Sequence, residues 1–203
     1  EWFAARASAL GLDVETDGNG NLWAWWGAAL PRTAFVVGSH LDSVRSGGEW
    51  DGPLGVASAF AALESLQASG WMPARPIAVV AFAEEEGGRF GMACLGSRLL
   101  TGAVAPSQAL GLVDDGGVTL AEALTAAGHD PARTGADPAR LAKIGAFVEL
   151  HIEQGRMPLP SGARGLAGAD RPVGVARGIW PHGRWRIDLA GVPDHAGTTA
   201  LAD

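Results

Sequence analysis

Two stretches of the chain are apolar without alternation and lead to ionisable residues, and a third strand-like stretch, interrupted by Glu149, contains one. Residues 33–37 (Thr-Ala-Phe-Val-Val) run into Gly38-Ser39-His40, residues 77–83 run into Glu84-Glu85-Glu86, and residues 146–152 reach His151. Short, continuous apolar runs of this kind are the pattern of strands buried on both faces. Other segments have a different period. Phe3, Ala7 and Leu10 recur at helical spacing ahead of Gly11, which predicts a first helix that stops there. Residues 13–16 and 22–26 flank the turn sequence Asp17-Gly18-Asn19-Gly20-Asn21 and predict a hairpin, with Trp23, Trp25 and Trp26 packing at a sheet edge. Residues 54–68 are apolar on most faces and predict a buried helix ending at Gly70. Helical segments are also expected over residues 94–101 and 120–127, with a loop rich in Gly, Pro and Asp over 128–138.

Strands that alternate with helices at this spacing predict an α/β fold, a mostly parallel central sheet flanked by helices. In such sheets ligands collect beyond the carboxyl ends of the strands. His40, the three glutamates and His151 all stand at or near such an end, which is the sequence's own argument that they share one site. Residues 158–172, rich in Gly, Pro, Ala and Arg, read as a connector. Residues 183–190 alternate, with Trp185, Ile187 and Leu189 on one face, and differ in character from the earlier runs. The expected division is a metal-binding domain over 1–178 and the start of a second, α+β domain over 179–203.

Composition narrows the function classes. A hydrophobic share of 47% and a charged share of 18% suit a folded chain with a substantial core. A net charge of -7 argues against nucleic acid as a partner, and the absence of a basic run argues against an anionic membrane surface. No apolar run approaches the roughly 18–20 residues that span a bilayer. The single cysteine, Cys94, excludes an internal disulfide framework and fits a reducing compartment, so the expected location is cytoplasmic. The chain opens in what reads as a helix already under way and closes directly after a motif-like stretch, so it is expected to be part of a longer protein.

The ionisable residues suggest metal chemistry. Imidazole nitrogen and carboxylate oxygen bind divalent ions, and a carboxylate can bridge two of them. Asp42, two residues after His40, can orient that imidazole, because residues i and i+2 of an extended chain share a face. Asp51 lies in a loop where Gly47, Gly48 and Gly52 let the backbone fold back towards the same point. Taken singly, His40 reads as a hydrogen-bonded core histidine, and Asp42 or Asp51 as a turn-former. Three consecutive glutamates at the end of an apolar strand change that balance, because they repel one another and are costly to bury without a cation. Gln154 offers an amide that could read a polar substrate. Serine or cysteine nucleophilic catalysis fits less well: Ser39 and Ser43 lack a nucleophile-elbow pattern and Cys94 has no histidine nearby in sequence. Gly47-Gly48 is not followed by the residues of a phosphate-cradling loop.

Four stretches carry a family resemblance: GSHLDSVRSGGEWDGPLGV (38–56), AFAEEEGGRFGMACLGSR (81–98), FVELHIEQG (147–155) and DHAGTT (194–199). In this order and spacing they resemble the N-carbamoyl-L-amino-acid hydrolase, allantoate amidohydrolase and β-ureidopropionase group, within the wider clan of co-catalytic metallopeptidases. The resemblance implies two divalent ions per subunit, zinc or manganese, with cobalt or nickel also compatible with these donors. It implies His40 and His151 as ligands on different ions, Asp51 as the bridge, Glu86 as a ligand, Glu85 as general base and Asp42 as the orienting partner of His40. It further implies that Gln154 contacts substrate. His195, in a lid and dimerisation domain, would reach the partner subunit's site and stabilise the oxyanion.

The implied reaction is metal-dependent hydrolysis of a C–N bond in allantoate or an N-carbamoyl-L-amino acid by a water held between the ions. It would yield an amine, ammonia and carbon dioxide, with a homodimer as the working form. An aminoacylase or dipeptidase of the same clan, and a truncated remnant that binds metal without turnover, are the competing expectations. Gly88 stands where serine or alanine is usual, and two further departures, a longer connector after Gly155 and Val192-Pro193-Asp194 before His195, concern lid geometry and substrate choice more than metal binding. The family's remaining metal ligand and its substrate-carboxylate residues would lie beyond Asp203, so the fragment alone is expected to be inactive.

Overall fold

A computed structural model of the chain describes residues 1–44, 47–152, 173–176 and 178. The chain divides into two units, Glu1–Gln154 and Gly155–Asp203. The sheet and the candidate site belong to the first. The boundary expected at Ile179 falls outside the described residues.

The first unit is built on a five-stranded sheet in the order β1-β2-β4-β3-β5. Its strands are β1 (Asp13–Thr16), β2 (Leu22–Trp26), β3 (Ala34–His40), β4 (Ile77–Phe82) and β5 (Ile144–Val148). β3 pairs in parallel with β4 and with β5, whereas β2 runs antiparallel to both β1 and β4. The sheet is therefore mixed, with its parallel pairs on the side that carries His40.

The helices are α1 (Trp2–Ala9), α2 (Pro53–Ala68), α3 (Leu95–Thr101), α4 (Pro106–Ala109), α5 (Leu120–Ala126) and α6 (Pro138–Leu141), with a 3-10 turn at Pro131–Arg133. α4 and α6 are four residues each and were not expected. A single turn shows no period to read; α4 is signalled only by a proline at its start, and α6 by a proline that follows the capping Asp137. Among the described residues no helix is long and apolar enough to cross a membrane.

Burial explains the uninterrupted apolar runs. Along β4, Ile77, Val79 and Ala81 join a core with Phe3 of α1 and Val56, Phe60 and Leu63 of α2. The alternate residues Ala78 and Val80 face the other way, into a second core with Trp23, Trp25, Val36 and Leu100. A strand buried on both faces must be apolar throughout. Trp23 and Trp25 stack with ring centroids 5.8 Å apart, but β2 is paired on both sides and is not the expected edge. The Trp23 indole nitrogen donates to buried Asp17 at 3.0 Å, as a buried indole N–H requires.

The helix predicted over 54–68 is present but is not buried all round. Gly55, Val56, Ala59, Phe60 and Leu63 are buried, on one face. Small alanines and a serine occupy much of the outer face, so its low polarity does not signal burial. The third strand also shifts. It was expected over 146–152, but it spans Ile144–Val148 and is mostly exposed. His151 therefore lies three residues past a strand end.

Candidate metal centre

The sheet register brings the ionisable residues together. His40, the last residue of β3, pairs with Phe82, the last residue of β4, so Glu84-Glu85-Glu86 emerge directly beside it. On the other side Val37 pairs with Val148. Three residues on along each segment, the same register carries His40 and His151 to the same level, and their rings stand 5.8 Å apart.

Ser39 is fully buried, and its hydroxyl donates to the Glu149 carboxylate, tying β3 to the segment that leads to His151. At Gly55 an added Cβ would collide with the Leu150 carbonyl and stand 2.8 Å from Ser39 Cβ. The absence of a side chain there lets α2 approach the same segment.

Asp51 lies between the two imidazoles. Its Oδ1 is 3.9 Å from His40 Nε2 and 3.4 Å from His151 Nε2. His40 and Asp51 are 1% and 3% exposed, so both are withdrawn from bulk water. Gly52 makes this possible. Its φ of +64 lies in the left-handed region, and an added Cβ would stand 2.5 Å from the His40 ring. The chain thus turns tightly over the imidazole before Pro53 opens α2.

On its other side, His40 Nδ1 lies 2.9 Å from the backbone carbonyl of Asp42 and 3.5 Å from the Asp42 carboxylate. The carbonyl is the closer partner, and it leaves Nε2 as the nitrogen facing the acids. The Asp42 carboxylate also accepts the Glu86 backbone N–H at 3.0 Å. It therefore joins the loop after β3 to the turn after β4. Burial pushes the Asp42 carboxyl up, but His40 and the backbone N–H groups of Glu86 and Glu85 outweigh it and hold the group below its usual range. For His40, burial opposes the charged form. The Asp42 carboxylate and carbonyl together with Glu85 overcome it and raise the imidazole to about 9.

The three glutamates, alike in sequence, separate by geometry. Glu84 has a φ of 52, and its Oε1 accepts the backbone N–H groups of Arg89 and Phe90 at 2.7 and 2.8 Å. It closes the loop. Glu85 turns its Oε2 to within 3.7 Å of His40 Nε2. Glu86 faces Asp51, whose carboxylate raises the Glu86 pKa by hydrogen bonding, with burial adding to it. Two carboxylates held together in this way need a shared proton or a cation.

The residues fit a metal. Their ligand atoms form two groups, His40–Asp51–His151 and His40–Glu85–Glu86, each within 4.8 Å. His40 Nε2 is buried, finds no hydrogen-bond partner among the described residues and faces these oxygens. Gln154 and His195, the expected substrate-side residues, lie outside the described residues. An open cavity of about 370 Å³ adjoins the centre, lined in part by Asp42, Ser43, Glu84 and Arg89.

Sequence reasoning read Asp17 and Asn21 only as turn residues. Asn21, fully buried, accepts the Ala83 backbone N–H at 3.0 Å and donates to Asp17 at 2.9 Å and to the Gly96 carbonyl at 3.3 Å. It pins the residue just before the three glutamates. Cys94 had been set aside as well. Its Sγ is 3.3 Å from Glu85 Oε1, and burial, with the Glu85 carboxylate adding to it, pushes the thiol up to about 11. Neither contact has a signal in sequence spacing, since each joins segments that meet only in the fold.

Residues 36–176 match peptidase family M20/M25/M40. The chain is similar to an N-carbamoyl-L-amino acid amidohydrolase of Geobacillus stearothermophilus, 40% identical over 200 residues, which are 98% of this chain and 47% of that protein. It is similar to the allantoate amidohydrolase of Escherichia coli (strain K12), 34% identical over 98% of this chain and 46% of that protein. The crystal structure of a hydantoinase/carbamoylase family amidase from Burkholderia ambifaria superposes with a TM-score of 0.69 at 34% identity, covering 80% of this chain and 39% of that one. The chain spans about half the length of the curated relatives it matches.

Proposed function

This chain belongs to peptidase family M20/M25/M40, and on that premise we propose that the protein is a metal-dependent amidohydrolase cleaving the ureido C–N bond of an N-carbamoyl-L-amino acid or allantoate. The observation that carries the reading is the placement of buried Asp51 Oδ1 between His40 Nε2 and His151 Nε2, with Glu85 and Glu86 alongside. The named relatives, which act on N-carbamoyl amino acids or allantoate, support the ureido substrate class.

His40, Asp51, Glu86 and His151 would hold two divalent ions, with Asp51 shared between them. Ions bound there would supply Lewis acidity, towards water and the substrate carbonyl. The protein's own groups do the rest. The Asp42 carbonyl and carboxylate fix the His40 ring so that Nε2 faces the donors. Glu85 takes a proton from the attacking water and passes it to the leaving nitrogen as the C–N bond breaks. The released carbamic acid then falls apart to ammonia and carbon dioxide. Gln154 would contact the substrate, and His195 would stabilise the developing negative charge across a homodimer interface.

Ammonia release from allantoate and from a panel of N-carbamoyl-L-amino acids, with zinc or manganese added, tests the proposal. Turnover of one of these classes is expected. Hydrolysis of N-acyl amino acids or dipeptides alone would assign the protein to the aminoacylase or dipeptidase reading instead. Replacement of Glu85 by Gln is expected to lower kcat by roughly 10²–10⁴ while metal content stays unchanged.

A further inference from the structure

Glu85 is one-third exposed in its side chain, and a glutamate in that position has several rotamers open to it. A general base has to present one oxygen at one place, so something must hold the carboxylate. Cys94, the N-cap of α3, stands in the right place. Its backbone N–H donates to the Glu85 carbonyl, and its Sγ lies 3.3 Å from Glu85 Oε1. The other oxygen, Oε2, then faces His40 Nε2 at 3.7 Å.

The backbone pays for this placement. Cys94 has a φ of 57, one of two non-glycine residues in the left-handed region among those described; the other is Glu84, at the start of the loop that Cys94 ends. Such a conformation costs of order 1 kcal/mol or more for a residue with a Cβ. A thiol with an ordinary pKa near 8.5 keeps its proton at neutral pH and is a donor. Cys94 takes no part in either group of metal-ligating atoms.

We propose that Cys94 is a positioning residue for the general base: its thiol donates to Glu85 Oε1 and sets the carboxylate with Oε2 turned to the metal centre. The proposal rests on the amidohydrolase reading for its catalytic consequence, though not for the contact itself.

The contact is read by infrared spectroscopy of the S–H stretch, isolated by subtracting the spectrum of Cys94→Ala. The native band is expected below that of a free thiol in water and is expected to move up in Glu85→Gln and again in Glu85→Ala. A band at the same frequency in native protein and both variants would overturn the contact. The consequence is read in kinetics on the best ureido substrate. Cys94→Ala is expected to lower kcat about 5- to 10-fold, the effect of losing about 1 kcal/mol of hydrogen bonding from a weak S–H donor, with KM changed less than about twofold. Cys94→Ser, which keeps a donor, is expected to recover most of kcat. Equal losses in the Ala and Ser variants, or a loss in neither, would overturn the positioning role. Absence of turnover by the native protein would sink the functional reading instead, and the infrared result would still decide the contact.

Discussion

A methyl group added at Gly52 would sit 2.5 Å from the His40 ring and would ask a φ of +64 of a residue with a side chain. Gly52→Ala is therefore expected to cost about 1–3 kcal/mol of stability and to weaken divalent-ion binding. Thermal unfolding with and without zinc measures both, and an alanine variant with native metal affinity would show that the His40 cradle tolerates displacement. The glycine is plain in the sequence, but the imidazole beneath it is not, because residues 40 and 52 meet only when the loop closes. The glutamates show the same limit. Nothing in Glu84-Glu85-Glu86 distinguishes its members, whereas the left-handed turn at Glu84 makes the first a loop clamp and sends the other two towards His40 and Asp51.

His40 adds a pH dependence at this scale. Its folded pKa of about 9 lies above the ordinary 6.5, so the metal-free protein carries the proton at neutral pH. That proton's stabilisation is fully present below pH 6.5 and is lost as pH rises through about 9. An ion binding at His40 must displace it, so metal affinity should rise with pH across the same window. Calorimetric titration of zinc in two buffers of different ionisation enthalpy should show proton release at pH 7, and heats independent of the buffer would contradict the assignment.

Between elements, polar side chains supply the important ties, to backbone or to one another. Asn21, from the β1–β2 turn, holds Ala83 at the end of β4 and Gly96 in α3. An added Cβ at Gly96 would run into Asn21 Oδ1, so the two residues fit each other. Asn21→Ala would strand the Ala83 N–H and part of Asp17. It should destabilise the protein by about 1–3 kcal/mol in urea unfolding, and a change within a few tenths would mean that water replaces the amide.

A second tie joins β1 to α6. Glu15 accepts from Arg140, which also contacts Asp137 and lies over the Trp23 ring at 5.0 Å. The Arg140 hydrogen bond lowers the Glu15 pKa against an opposing burial effect. A depressed carboxylate stabilises above its unfolded value and loses that contribution as pH falls through the folded one. Glu15→Gln should accordingly flatten the loss of stability below about pH 4.3, read as Tm against pH; a parallel curve would count against the pair.

At the element level the hydrophobic pattern revealed β3 and β4, because strands buried on both faces cannot disguise themselves. The turn sequence between residues 16 and 22 revealed the β1–β2 hairpin, but nothing revealed that β2 runs antiparallel to β4. The hydrophobic pattern also overran β5, because the apolar residues of 146–152 continue past the last paired residue, Val148.

Over the whole first unit, four segments distant in sequence meet because parallel strands deliver their carboxyl ends to one edge. The pairings His40 with Phe82 and Val37 with Val148 align the ligand-bearing ends of three strands. The loop bearing Asp51 folds back between two of those ends, and the start of α2 packs behind it. This convergence was legible in the sequence as strand ends bearing ionisable residues, and the order of the motifs made the resemblance specific. What joins the motifs, the turn of Asn21, the carbonyl of Asp42 and the thiol of Cys94, was not legible, since each depends on three-dimensional neighbours with no fixed spacing.

The proposed chemistry depends on Asp51 serving two ions at once. Metal analysis of the protein carrying this chain, after equilibration with zinc or manganese and desalting, should find two equivalents in the native protein. In Asp51→Ala it should find a large loss from both positions, with the variant still folded by circular dichroism. Unchanged metal content in Asp51→Ala would contradict the bridged centre, and with it the proposed chemistry.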